Sequence, residues 1–149
     1  MQHFTLFQSL DLGDIAVRVS CAALSGTLIG LERLWHHKEA GLKTNTLVCL
    51  GAAIFGMISA NSDAMANWSA SQFSVGVLTG VGFLGSGIIL QRTEHLQGVN
   101  SAATIWVSAG VGLACGMGEY GLAVVSLMAV IFVQFLHRWI ESKVRIPRS

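Results

Sequence analysis

The sequence predicts an all-α membrane protein, a bundle of five transmembrane helices with the N-terminus outside and the C-terminus cytoplasmic. Three observations carry that prediction. The 149 residues are 52% hydrophobic and 11% charged, whereas a soluble domain carries about 25% charged residues. Five apolar runs of membrane-spanning length alternate with short polar segments. The basic residues fall on every second polar segment and almost nowhere else. A mean hydropathy of +0.61, with 17 glycines and one proline, fits a polytopic bundle, since small residues let helix backbones approach closely in lipid. The length suits one domain, here a single transmembrane domain over residues 1–149.

Residues 1–13 hold no Lys or Arg, so a cleaved signal peptide is not expected. With Phe4, Leu6, Phe7 and Leu10 apolar, Asp11 acidic and Asp14 just beyond, they read as an interfacial lead-in. The first span, residues 15–31, is short for the hydrocarbon core and contains Gly26-Thr-Leu-Ile-Gly30, a GxxxG pattern suited to close helix contact. A charged loop follows, with Glu32, Arg33, His36, His37, Lys38, Glu39 and Lys43. The second span is 44–60. The polar loop after it has Asp63 as its only charge. The third span, 75–90, is rich in glycine, and the loop beyond it carries Arg92, Glu94 and His95. The fourth span, 102–117, opens on the polar entrance Asn100 to Thr104 and carries Ser108, Ala109, Gly110, Gly112, Ala114 and Gly116. A tight turn at Gly118 to Gly121 leads to the fifth span, 122–136, and a basic tail.

The first loop holds three basic residues, the third loop one and the tail four, while the alternate segments hold none. The positive-inside rule then places the first loop, the third loop and the tail in the cytoplasm. The ninth basic residue, Arg18, lies inside the first span as an intramembrane charge. It either faces the bundle interior or snorkels outward beside Asp14, one turn earlier.

The remaining motifs exclude more than they assign. Gly80-Val-Gly82-Phe-Leu-Gly85 matches the dinucleotide pattern in letters only, because no acidic residue follows over 99–118 and the run is apolar. It reads instead as a glycine face for helix packing. Cys21, Cys49 and Cys115 are odd in number and unpatterned, so they read as packing residues without a structural disulfide. Glu32 with His36 and His37 admits a zinc-like metal, but a solvated interfacial loop explains them as well. Glu32 lies at the C-terminal end of its helix, against the dipole, and invites a basic partner such as Lys43 or Arg92. Asn100 or Ser101 suits the N-cap of the fourth helix; Thr104 and Ser108 then continue from Asn100 along one face. No catalytic constellation is present, no cofactor or resident metal is expected, and no basic patch suits nucleic acid.

Several segments resemble the MgtC/SapB family of bacterial inner-membrane proteins: Gly30-Leu-Glu-Arg33, Ala40-Gly-Leu-Lys-Thr44, Asn45 to Ala52, Val81 to Gly87, and Gly98-Val-Asn-Ser-Ala-Ala-Thr-Ile-Trp106. Many members continue into a soluble C-terminal domain, and this chain resembles their membrane domain, as in short members. The resemblance implies a multi-pass inner-membrane protein tied to magnesium limitation, acid stress or intracellular survival. Virulence-associated members are proposed to restrain the F-type ATP synthase. The asparagine that matters in those members corresponds to Asn100, whereas their cysteine just after the tryptophan is Val107 here. The expected partners are therefore the bilayer and a membrane protein such as the synthase, with further copies of the chain admitted. Glu32, Arg33, Lys43, Asn100 and Thr104 form the expected functional cluster on the cytoplasmic side. The alternatives are an ion channel or secondary transporter, with polar groups of the third and fourth helices lining the path, and a structural membrane module.

Overall fold

In the computed structural model, residues 11–35, 38, 40–60, 70–92 and 95–143 are described. They form five long helices: α1 Leu12–Trp35, α2 Leu42–Ala60, α3 Ala70–Ile88, α4 Val99–Met117 and α5 Tyr120–Lys143. Each is long and apolar enough to cross a membrane. A short antiparallel hairpin, β1 Leu90–Arg92 with β2 His95–Gln97, links α3 to α4. The sequence reading placed a plain loop there. The protein is a multi-pass helical membrane protein.

Local chemistry sets the helix ends. Asp11 offers its carbonyl to the Ile15 N–H at 3.1 Å, and Asp14 lies in the first turn of α1, where an acid complements the dipole. At the entrance to α4, Gly98 takes a left-handed φ of 88°, and a Cβ there would run into the Ile88 carbonyl. Helix α4 therefore starts at Val99 with glycine as its N-cap and no side-chain cap. This corrects the expectation that Asn100 or Ser101 would cap it. Helix α4 ends in a Schellman turn: Gly118 donates to the Cys115 carbonyl and Glu119 to the Ala114 carbonyl, at 3.1 and 2.9 Å.

Helix α4 is the axis of the bundle and touches the other four helices. It is buried along most of its length, from Ser101 through Ile105, Ser108 and Ala109 to Gly116. Two glycine seams bring backbones together. A Cβ at Gly30 would sit 2.6 Å from the Leu42 Cα, and one at Gly26 2.8 Å from the Thr46 Cα, so the GxxxG of α1 packs on α2. Gly112 and Gly116 press on the backbones of Cys49 and Ala53, joining α4 to α2. The expected packing face on α3 is present only at Gly85, which faces Ala102; Gly80 and Gly82 open onto free space. Helices α3 and α5 lie at the periphery, with Val75, Phe83, Val125, Met128, Phe132 and Phe135 exposed for lipid to cover.

Candidate functional site: a polar seam at the hairpin end of the bundle

Pairing of Arg18 with Gly116 at one end and Arg33 with Ser101 at the other makes α1 antiparallel to α4. The C-terminal end of α1, the N-terminal ends of α2 and α4, the hairpin, and the last turns of α5 thus gather at one end of the bundle. Polar side chains buried there inside apolar helices are costly when unpaired, at about 2–7 kcal/mol.

Arg33 occupies the last turn of α1 and is only 7% exposed. Its Nη2 donates to Ser101 Oγ at 2.7 Å, crossing from α1 to α4. A guanidinium this deep is held by its partner geometry, since removing one member of such a pair leaves a buried charge. One residue earlier, Glu32 forms an ion pair with Arg138 of α5, with 3.3 Å between Oε1 and Nε. Together the two contacts tie three helices within one turn of α1.

The third joint is Asn45, fully buried on α2. Its Nδ2 donates to the carbonyls of Ala40 and Gly41 at 3.0 and 2.9 Å, fixing the approach to α2. Its Oδ1 accepts from Ser108 Oγ of α4 at 2.9 Å. A lighter contact joins Thr27 and Thr46 hydroxyls at 3.2 Å between α1 and α2.

The expected cluster is only partly assembled by these contacts. Glu32 and Arg33 lie in the seam. Arg33 meets Ser101, and Glu32 pairs with Arg138 of α5. Lys43 is exposed in the first turn of α2, and Asn100 is exposed in the first turn of α4. Thr104 is half-buried and donates to the Asn100 carbonyl of its own helix at 2.8 Å. Ser108 is on the polar stripe of α4, but its partner Asn45 was not among the expected site residues. The metal reading involves His36 and His37, which lie outside the described residues. Arg18 stands at the opposite end and combines both of its expected roles: it pairs with Asp14 at 2.9 Å and donates Nη1 to the Gly116 carbonyl at 2.7 Å.

A family model, described as the MgtC family, matches residues 19–143, most of the chain and all of the seam. The chain belongs to the MgtC family. Among curated relatives, Protein MgtC of Brucella abortus (strain 2308) is 42% identical over 127 residues, covering 85% of this chain and 52% of that protein. Protein MgtC of Salmonella typhimurium (strain LT2) is 38% identical over 117 residues, covering 78% and 49%. An uncharacterized protein of Synechocystis is 38% identical over 124 residues, covering 82% and 51%. The chain thus spans about half the length of the MgtC relatives it matches. No solved structure matches it. The MgtC-family match includes Glu32, Arg33, Asn45, Ser101, Ser108 and Arg138, but begins one residue after Arg18.

Proposed function

We propose that this MgtC-family protein is a non-enzymatic regulator of ion and energy homeostasis in the bacterial inner membrane. It acts under magnesium limitation, acid or intracellular stress, through a membrane-protein partner such as the F-type ATP synthase. The supporting observation is the charged knot at the hairpin end, where Arg33–Ser101 and Glu32–Arg138 join the central helices to α5. Helix α5 otherwise leaves most of its surface open, so a partner that lies along it communicates with α1 through Arg138. In this reading that end faces the cytoplasm, as the positive-inside rule suggests. A conducting path is less well supported: Ser108, the deepest polar group of the α4 stripe, is bonded to Asn45, and Gly112 and Gly116 leave no gap against α2.

The test is quantitative co-purification in mild detergent from cells grown in low magnesium, comparing wild type with Glu32→Gln and Asn100→Ala at equal protein level. Enrichment of one membrane complex, lost in either variant, is the expected result. No enriched complex, together with cation flux in proteoliposomes that scales with protein, would replace this reading by the transporter.

A further inference from the structure

The end of the bundle opposite the seam holds a pair of thiols that the seam does not use. Cys21 on α1 and Cys115 on α4 face each other with their Sγ atoms 3.4 Å apart, and both are free. They are 94 positions apart in the chain. Their opposition is fixed from the side: Arg18, one turn before Cys21, donates to the carbonyl of Gly116, the residue after Cys115. The third thiol is held differently. Cys49 is buried between two glycines, with Gly112 against its backbone and Gly26 against its Cβ. It fills space, as the sequence suggested for all three.

A disulfide has its sulfurs about 2.05 Å apart, so the pair must close by about 1.4 Å, a movement of the order that side-chain torsions supply. Cys115 is buried, whereas Cys21 is half-buried. On the same face of α1 as Cys21, Val17 and Leu24 are exposed at i−4 and i+3. The accessible side of the pair therefore opens onto an apolar surface. A charged, water-borne oxidant is disfavoured there, and an apolar one dissolved in lipid is favoured.

We propose that Cys21 and Cys115 are a redox-active dithiol, oxidised to an α1–α4 disulfide by a quinone-class oxidant dissolved in the bilayer. Both S–H bonds break and one S–S bond forms. Two electrons and two protons pass to the quinone, which leaves as the quinol. The new bond staples α1 to α4 at the end opposite Arg33–Ser101, so oxidation joins the two helices at both ends of their contact. This inference does not depend on the partner or physiological role proposed above.

The experiment reconstitutes the reduced full chain in liposomes and treats it with decylubiquinone, with oxidised glutathione in a parallel arm. Samples are then unfolded in SDS, labelled with a maleimide polymer and resolved on non-reducing gels. Untreated protein is expected to take three labels. Quinone-treated protein takes one, on Cys49, and releases one quinol per chain. Treated Cys21→Ser and Cys115→Ser keep two labels each; Cys115→Ala replaces the serine variant if that one elutes as aggregate on size exclusion. Oxidised glutathione leaves three labels. Three labels after quinone, a covalent dimer, or label loss in Cys21→Ser that reports a Cys49 partner would each overturn the assignment. Oxidation by glutathione disulfide at the same rate would overturn the bilayer source of the oxidant.

Discussion

Truncation of Asn45 is the sharpest test of the seam, because one side chain there serves the approach to α2 and the α2–α4 contact together. Asn45→Ala removes two donors to the Ala40 and Gly41 carbonyls and one acceptor for Ser108. At about 1 kcal/mol per hydrogen bond, the loss is about 3 kcal/mol. Two corrections act against that figure. The Gly41 carbonyl keeps the Asn45 backbone N–H at 3.2 Å, and the freed Ser108 hydroxyl can turn to the carbonyl four residues back. The expected destabilisation is therefore about 2 kcal/mol. Ser108→Ala removes one bond and is expected to cost about 1 kcal/mol. The double variant should cost less than the sum, with a coupling of about 0.6–1 kcal/mol, in the range measured for interhelical bonds in membranes. The assay is reversible unfolding in mixed micelles by SDS titration, followed by circular dichroism. Additivity within about 0.3 kcal/mol would show that the two side chains are independent and would refute the joint.

The glycine seam makes a contrasting pair. Gly112→Ala drives a Cβ into the Cys49 carbonyl and is expected to destabilise by about 3 kcal/mol or abolish folding, whereas Gly110→Ala meets open space and should be neutral or stabilising by about 1 kcal/mol. The same SDS titration reads both. Arg18→Gln loses the Gly116 carbonyl contact and the Asp14 pair and is expected to cost about 1–2 kcal/mol, while Asp14→Asn, at a partly exposed pair, should cost under about 1 kcal/mol. Equal effects would place Arg18 outside the bundle contact. Lys38→Cys, in a background lacking the three native cysteines, is expected to react with an impermeant maleimide only from the cytoplasmic side. Labelling in intact cells would reverse the orientation.

Much of the fold was legible because hydropathy and basic-residue placement are one-dimensional signals. The apolar runs could be marked without knowing any contact, and Gly26 with Gly30 proclaimed a seam through spacing alone. What spacing could not say was where a helix turns its glycines. Gly112 and Gly110 are alike in sequence, yet one touches the Cys49 backbone and the other touches nothing. Gly80 and Gly82 likewise fit a packing pattern and remain open. The start of α4 was misplaced for a local reason. The hairpin delivers the chain in a left-handed conformation that Gly98 alone accommodates, so the helix starts at Val99 and Asn100 falls in its first turn. Asn45 enters the sequence reading only inside the second span and a family-like segment, because an amide at the head of an apolar run does not name its partner. Only the position of Ser108, 63 residues on, makes it a joint.

The charges divide the bundle in a way that bears on how it could respond to a partner. Glycine contacts join α1 to α2 and α2 to α4, and such backbone-to-backbone packing leaves little room to adjust without loss of fit. Among the described residues, helix α5 has no comparable seam. Among its described residues Ala123 alone is buried in the core, with Leu127 and Val130 packed alongside. Further along the same face, the Gln134 amide is buried with no hydrogen-bond partner among the described residues, and one turn later Arg138 reaches Glu32. Orphaning an amide in an apolar setting costs energy, so this stretch of α5 is held less favourably than the α1–α2–α4 core. An element of low local stability is the one a binding partner shifts most readily. A partner that offers Gln134 a hydrogen bond, or competes for Arg138, would act on α5 first and reach α1 through Glu32. The neighbouring residue, Arg33, is already locked to α4, so displacement of α5 would be felt at the seam while the glycine-packed core stayed in place.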